Sequence, residues 1–255
     1  MTYFEQLLII CPVIFFAGFV DSIAGGGGLI SLPTYIAVGI PSKMALGTNK
    51  FANCFGTFTS TIKFIKSGKV DLKVGIVVAL CALIGSFIGA SFAQIFSDNI
   101  LRYFMLVFLP IAFLVVLKSG SFKDERPELL ENKKRLFLLT SIIGVVFGFY
   151  DGFFGPGTGT FIMLSFNYIV GFDIVTSNGN AKMANLASNV AAVISFGLNG
   201  YIIYKIAVPA MFFAILGNFI GSRLAIKNGS KIIRPTLLFV FLILLIKIAY
   251  DIFSM

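Results

Sequence analysis

The chain has 255 residues, of which 58% are apolar and only 12% charged, with a mean hydropathy of +0.97. A soluble domain carries about a quarter charged residues, so the composition excludes a soluble enzyme or binding module and predicts a helical membrane protein. The net charge of +9 does not imply nucleic acid, because 14 of the 20 Lys and Arg fall in three short stretches between apolar runs.

The first apolar run, 4–24, follows a start that holds Glu5 and no basic residue before the run, so it reads as a span rather than a cleaved signal. The glycine-rich segment Asp21-Ser-Ile-Ala-Gly-Gly-Gly-Gly28 interrupts it, and a short apolar piece, 29–40, comes next. Further spans are predicted at 45–65, 74–95 and 100–117. The charged segment 118–135 follows, then spans at 136–152, 178–197, 203–224 and 235–253. A second break, Asp151-Gly-Phe-Phe-Gly-Pro-Gly-Thr-Gly159, precedes a second short piece, 160–172. Each full span is long enough for a hydrocarbon core about 30 Å thick, and the two short pieces are not. Cys11, Cys54 and Cys81 lie inside spans and have no metal-ligand spacing, and the chain has no histidine, so no metal and no cofactor is expected.

The sequence is written twice. A shift of 132 carries Gly47, Lys50, Ala52, Asn53 and Gly85 onto Gly179, Lys182, Ala184, Asn185 and Gly217, and a shift of 130 carries Gly18, Asp21 and Gly25 onto Gly148, Asp151 and Gly155. Many membrane transporters are built from two copies of this kind. Basic residues are dense at 63–73, 118–135 and 223–234, which places these loops in the cytoplasm by the positive-inside rule. The basic loops change places between copies, as they must if the copies are inverted. The expected fold is therefore an all-α polytopic membrane protein of two inverted repeats, about five helical segments each, with Gly-rich broken helices at the repeat interface. The repeats are 1–118 and 136–255, the linker at 119–135 is cytoplasmic, and both termini face outside.

The two breaks are the first candidate site. Gly25, Gly26, Gly27 and Gly28, like Gly155, Gly157 and Gly159, cannot continue a helix at membrane depth without penalty. Bare backbone in lipid must be covered by protein or face a water-filled cavity. A helix restarting at Leu29 or Thr160 would point free N–H groups and a positive dipole end at the break, which suits an anion. No Gly-Lys-Ser/Thr follows, so this is not a nucleotide loop. Close helix packing through small residues is the alternative.

The matched pair Gly47-Thr-Asn-Lys-Phe-Ala-Asn53 and Gly179-Asn-Ala-Lys-Met-Ala-Asn185 is the second candidate. Lys50, Asn53 and Thr57 share one helix face, as do Lys182, Asn185 and Asn189. An ionised lysine inside a span normally faces a polar cavity, a partner or an ion path. Two such faces would form a positive, amide-lined chamber fit for a small oxyanion. Alternatively each lysine lies near a helix start and snorkels to water. Asp21 and Asp151 hold equivalent positions before the breaks; they are proton-site candidates, or they neutralise a matching lysine or cap a broken helix. Cys54, beside Asn53, reads as a buried inert thiol.

The motifs Gly-Gly-Gly-Gly-Leu-Ile-Ser-Leu-Pro at 25–33, Gly47-Thr-Asn49, and Tyr150-Asp-Gly-Phe-Phe-Gly-Pro-Gly-Thr-Gly159 resemble those of the TauE/SafE family of sulfite-exporter-like membrane proteins. The likeness runs from about Phe16 to Tyr250. It implies a bacterial or archaeal inner-membrane permease for small sulfur-containing anions such as sulfite, sulfonates or sulfoacetate. It also marks Asp21, Gly25 to Gly28, Asn49, Asp151 and Gly155 to Gly159, including Thr158, as pathway residues. The partners expected are a small anion and membrane lipid, not nucleic acid. A cation or amino-acid exporter built on Asp21 and Asp151 remains an alternative, as does an anion channel. No cofactor signature or hydrolase motif points to an enzyme.

Overall fold

The computed structural model of the chain describes residues 1–101, 103–104 and 122–239. Every regular element among them is helical. Helix α1, Tyr3–Ala24, opens with a capping box in which Thr2 and Glu5 exchange side-chain and backbone hydrogen bonds. It stops where Gly25 turns left-handed at φ 79°. Next come α2, Gly28–Ala37, and α3, Ser42–Lys66. Helix α4, Leu72–Ala93, is capped by the Asp71 carboxylate, which accepts from the Lys73 and Val74 amides. A short helix in the linker, α5 (Pro127–Glu131), leads to α6, Lys133–Phe153. Helix α7, Thr158–Ser165, runs into a π-helical turn, Phe166–Val170, and is followed by α8, Ile174–Leu198, and α9, Tyr204–Asn228. These bounds match the expected spans to within a few residues. The expected span 100–117 lies almost wholly outside the described residues, as do the last part of 235–253, the boundary at 118 and the C-terminus.

Helices α1, α4, α6 and α9 are long and apolar enough to cross a membrane. Helices α3 and α8 have 25 residues each, about 37 Å of helix, but they carry too many polar groups to stand in lipid. They occupy the centre instead, with Thr48, Asn49, Lys50 and Thr57 of α3, and Asn178, Asn180, Lys182 and Asn189 of α8, all buried. The outer helices are dressed the other way. Leu80, Ile84, Phe87 and Ile88 of α4 and Phe212, Leu216, Phe219 and Ile220 of α9 point outward, while small residues face inward. Large apolar side chains gain nothing by leaving lipid for protein, so small residues and hydrogen bonds hold such a bundle together.

The two sequence halves are interleaved. Helix α4 packs on α6 and α8, while α9 packs on α1 and α3, so each of two three-helix units draws on both halves. Contacts in one unit recur in the other at the repeat spacing. A Cβ on Gly89 of α4 would lie 2.1 Å from the Phe149 carbonyl oxygen, and one on the equivalent Gly221 of α9 would lie 2.3 Å from that of Phe19. Only glycine permits these backbones to touch.

The helix ends gather in two groups. Tyr3 donates to the Lys205 carbonyl, Gln6 to that of Val38, and Lys43 to that of Gln94, bringing together the starts of α1, α3 and α9 and the ends of α2 and α4. In the other group Gly179 abuts the Lys69 carbonyl, Gly229 lies against Val175, and the linker docks on the π-helical turn. That docking satisfies carbonyls that a π turn leaves free. Arg126 donates to the Asn167 and Tyr168 carbonyls at 2.7 and 2.8 Å, and Arg135 to that of Ile169 at 2.9 Å.

Candidate functional site

The two breaks meet at the centre of the bundle. Gly25 and Gly159 lie so close that a Cβ on Gly25 would sit 2.3 Å from the Gly159 carbonyl carbon, which is why neither position admits a side chain. Thr160 donates to the Ala24 carbonyl at 2.7 Å, and Asn178 donates to those of Ser22 and Ile23 at 3.2 and 2.9 Å. The carbonyls freed where α1 stops are thus met by side chains from the second half, as burial requires.

The four charged candidates form two crossed ion pairs. Lys50 of α3 lies 2.7 Å from Asp151 of α6, with the side chains 4% and 3% exposed. Lys182 of α8 lies 2.7 Å from Asp21 of α1, with the side chains 0% and 14% exposed. Each lysine pairs with the aspartate of the other copy, and each pair joins one three-helix unit to the other. The expectation that the lysines snorkel to water does not hold, because both are buried. Asp151 also accepts a hydrogen bond from Ser188, and Asp21 accepts one from the Gly27 amide at 3.3 Å. Lys182 is further held by the Asp21 backbone carbonyl at 2.5 Å.

Between these pairs lies a cavity of about 20 Å³, room for roughly one water molecule. Asp21, Lys50 and Asp151 line it, as do Asn49, Asn53, Thr57, Asn185 and Asn189. Gly25, Gly28, Gly155 and Gly159 complete the wall with backbone. Gly28 and Gly159 belong to the first turns of α2 and α7, so both short helices direct their N-terminal ends inward. The amides form two matched chains: Asn53 donates to Asn49 at 3.1 Å, and Asn189 donates to Asn185 and to the Thr57 hydroxyl, both at 3.3 Å.

Five expected site residues are not on this wall. Lys182 sits behind Asp21, and the Gly27 amide is turned to the same carboxylate. Gly26 and Gly157 carry turn carbonyls that accept from Leu29 and Phe161, and the Thr158 hydroxyl closes the second break by donating to the Gly155 carbonyl at 2.7 Å. Ser188, Thr160 and Asn178 also hold the site together, through Asp151 and the carbonyls at the end of α1. Ser188 precedes Asn189 on the polar face of α8, which is the only sign of its role in the sequence. Among the described residues no cluster of three metal-ligating side chains occurs.

The model of the family described as Sulfite exporter TauE/SafE matches residues 10–248. A probable membrane transporter protein, ORF9, of a Sinorhizobium species is 34% identical over 97% of this chain and 94% of its own length. The probable membrane transporter protein YfcA of Escherichia coli K12 is 34% identical over 98% and 95%. YdhB of Bacillus subtilis, also named a probable membrane transporter protein, is 23% identical over 85% and 89%. No solved structure matches the chain.

Proposed function

The chain belongs to the TauE/SafE family and is a multi-pass membrane transporter, and on that premise we propose that it carries small sulfur-containing anions such as sulfite, sulfonates or sulfoacetate across the inner membrane together with protons. The observation that carries this reading is the pair of crossed Lys–Asp bridges around an amide-lined cavity at two helix N-termini.

The charge balance suggests the coupling. Two lysines face two aspartates, so their formal charges cancel and the chamber offers an anion no net attraction. A proton taken up by an aspartate releases its lysine, and an oxyanion can then replace the carboxylate. The neighbouring asparagines and the first amides of α2 and α7 supply its remaining donors. Anion and proton would travel together because each makes room for the other. The cavity is too small for an anion of four heavy atoms as it stands, so binding requires the walls to separate.

The units that separate are α1, α3 and α9 on one side and α4, α6 and α8 on the other, rather than the sequence halves 1–118 and 136–255. Inversion of the two copies is supported by the helix ends. The start of α1 lies with that of α9, whereas the start of α6 lies with that of α8 through the π-helical turn. The group of ends around α6 carries Lys66, Lys69, Lys133, Lys134 and Lys227, so it faces the cytoplasm and the N-terminus faces outside.

Exchange in proteoliposomes tests the proposal. Labelled sulfite should enter vesicles loaded with sulfite or sulfoacetate, and Lys50→Met with Lys182→Met should abolish entry while leaving membrane insertion intact. A sulfonate carries no proton of its own at neutral pH, so its uptake should accelerate when the donor side is made acidic. Exchange with an internal amino acid alone would reject the oxyanion chamber in favour of an aspartate-based carrier. Continuous conductance without saturation would indicate a channel.

A further inference from the structure

A shallow open groove of about 530 Å³ lies between the ends of α3 and α9 in the basic group of helix ends. Lys63, Lys66, Arg223 and Lys227 surround it over a floor that includes Phe219 and Ile226. Lys63 donates to the Phe219 carbonyl at 2.7 Å and lies 3.1 Å from the centre of its ring. Among the described residues the ion pairs are Lys50–Asp151 and Lys182–Asp21, so no carboxylate there neutralises these four cations.

The repeat supplies an internal control. At the matching junction of α8 with α4, the positions equivalent to Lys63, Lys66, Arg223 and Lys227 are Ser195, Leu198, Ser91 and Ile95. There the Ser91 and Ser195 hydroxyls lie 3.2 Å apart, Gln94 donates to Ser195 at 2.9 Å, and the helices close against each other. Both junctions are made of helix C-terminal ends, and α4 and α8 have no base in their last turn. Packing and the helix dipole therefore do not demand the four bases, and the positive-inside bias that accounts for their side of the membrane does not require them to surround one groove.

Phe212, Leu216 and Phe219 are exposed and recur at helical spacing on α9, on the face that carries Arg223 and Lys227, so an apolar track leads away from the bases. A cationic rim above an apolar track has the form of a phospholipid, headgroup over acyl chain. We propose that this groove binds the headgroup phosphate of an anionic phospholipid of the surrounding leaflet, with an acyl chain against Phe219, Leu216 and Phe212. A zwitterionic lipid is disfavoured, because its ammonium would meet four uncompensated cations.

Native mass spectrometry of the whole purified protein tests this with dioleoylphosphatidylglycerol and dioleoylphosphatidylcholine in equal amounts. The wild type should retain the glycerol lipid at least five-fold over the choline lipid. Lys63→Gln with Arg223→Gln should lose that preference, whereas Lys133→Gln with Lys134→Gln, an equal loss of charge in the linker, should keep it. If the first double variant does not fold, Lys66→Gln with Lys227→Gln gives the same reading. Equal loss in groove and linker variants would overturn the site in favour of general surface attraction. Displacement of the lipid by glycerol 3-phosphate at equal concentration would overturn it in favour of a soluble anion.

Discussion

Separating the two partners of the Lys50–Asp151 bridge should reveal how strongly the three-helix units are held together. The charged groups lie 2.7 Å apart and are 4% and 3% exposed. Lys50→Met or Asp151→Leu alone leaves a charge with almost no water, which costs about 3–5 kcal/mol. The double variant removes both charges and fills the space with apolar volume, which is neutral or stabilising by about 1–4 kcal/mol. Ser188 loses an acceptor in Asp151 but keeps the Asn185 carbonyl at 3.0 Å, so it adds little. The coupling energy from the four-variant cycle should therefore exceed about 3 kcal/mol, read from unfolding of the purified protein by added sodium dodecyl sulfate. The same cycle on Lys182 and Asp21 should give a smaller coupling, because Asp21 keeps 14% of its side chain exposed and water replaces part of what is lost. The Lys50→Met/Asp151→Leu protein should be stable yet fail to carry anions. A coupling below about 1 kcal/mol, the value of an exposed pair, would refute the reasoning, as would normal transport by the double variant.

Three further outcomes follow from the geometry. Gly25 and Gly39 both have left-handed φ, 79° and 90°, but a Cβ on Gly39 meets nothing within 4 Å. Gly39→Ala should therefore cost only about 1–2 kcal/mol and keep transport, while Gly25→Ala, whose Cβ strikes Gly159, should lose both uptake and a monodisperse elution profile. In a background with Cys11, Cys54 and Cys81 replaced, Thr57→Cys with Asn189→Cys joins the two units, and oxidation should stop transport until a reductant is added. Ser91→Cys with Ser195→Cys joins α4 to α8 within one unit, and its oxidation should leave transport intact. Arg126→Ala removes two bonds to the π-helical turn at 2.7 and 2.8 Å; at about 1.5–3 kcal/mol for each charged bond, amide exchange across 166–171 should accelerate more than in α9.

The helices were legible because a bilayer imposes apolar runs, and the breaks were legible because four glycines or Gly-Pro-Gly cannot continue a helix. The cavity wall followed from periodicity on α3 and α8, where Lys50, Asn53 and Thr57, and Asn185 and Asn189, recur on one face. The partner of each lysine did not follow. Asp21 precedes Lys50 in one copy and Asp151 precedes Lys182 in the other, so sequence proximity suggests pairs within a copy. The crossing arises because α1 packs with α9 and α4 with α6, and glycines at helical spacing occur on too many helices to identify which faces meet. Arg126 and Arg135 read as cytoplasmic charge bias, since a π-helical turn leaves no mark in the sequence and its free carbonyls are invisible there.

The distribution of contact types explains which joints can move. Within each unit the backbones touch through glycine, as at Gly89 and Gly221, and dispersion contacts of that kind fade within an ångström of separation. Around the cavity the joints between the units are ionic and amide groups, which water or a substrate can replace one for one. Rigid joints thus lie where lipid surrounds the protein, and exchangeable joints lie around the cavity. The two ionic joints are unequal. Asp151 is sealed, with Lys50 and Ser188 both on its carboxylate, while Asp21 is part-exposed and shares Lys182 with its own backbone carbonyl. A proton or an anion arriving from water meets the Lys182–Asp21 pair with the smaller desolvation barrier, so that pair should open first and the Lys50–Asp151 pair should act as the last barrier to passage.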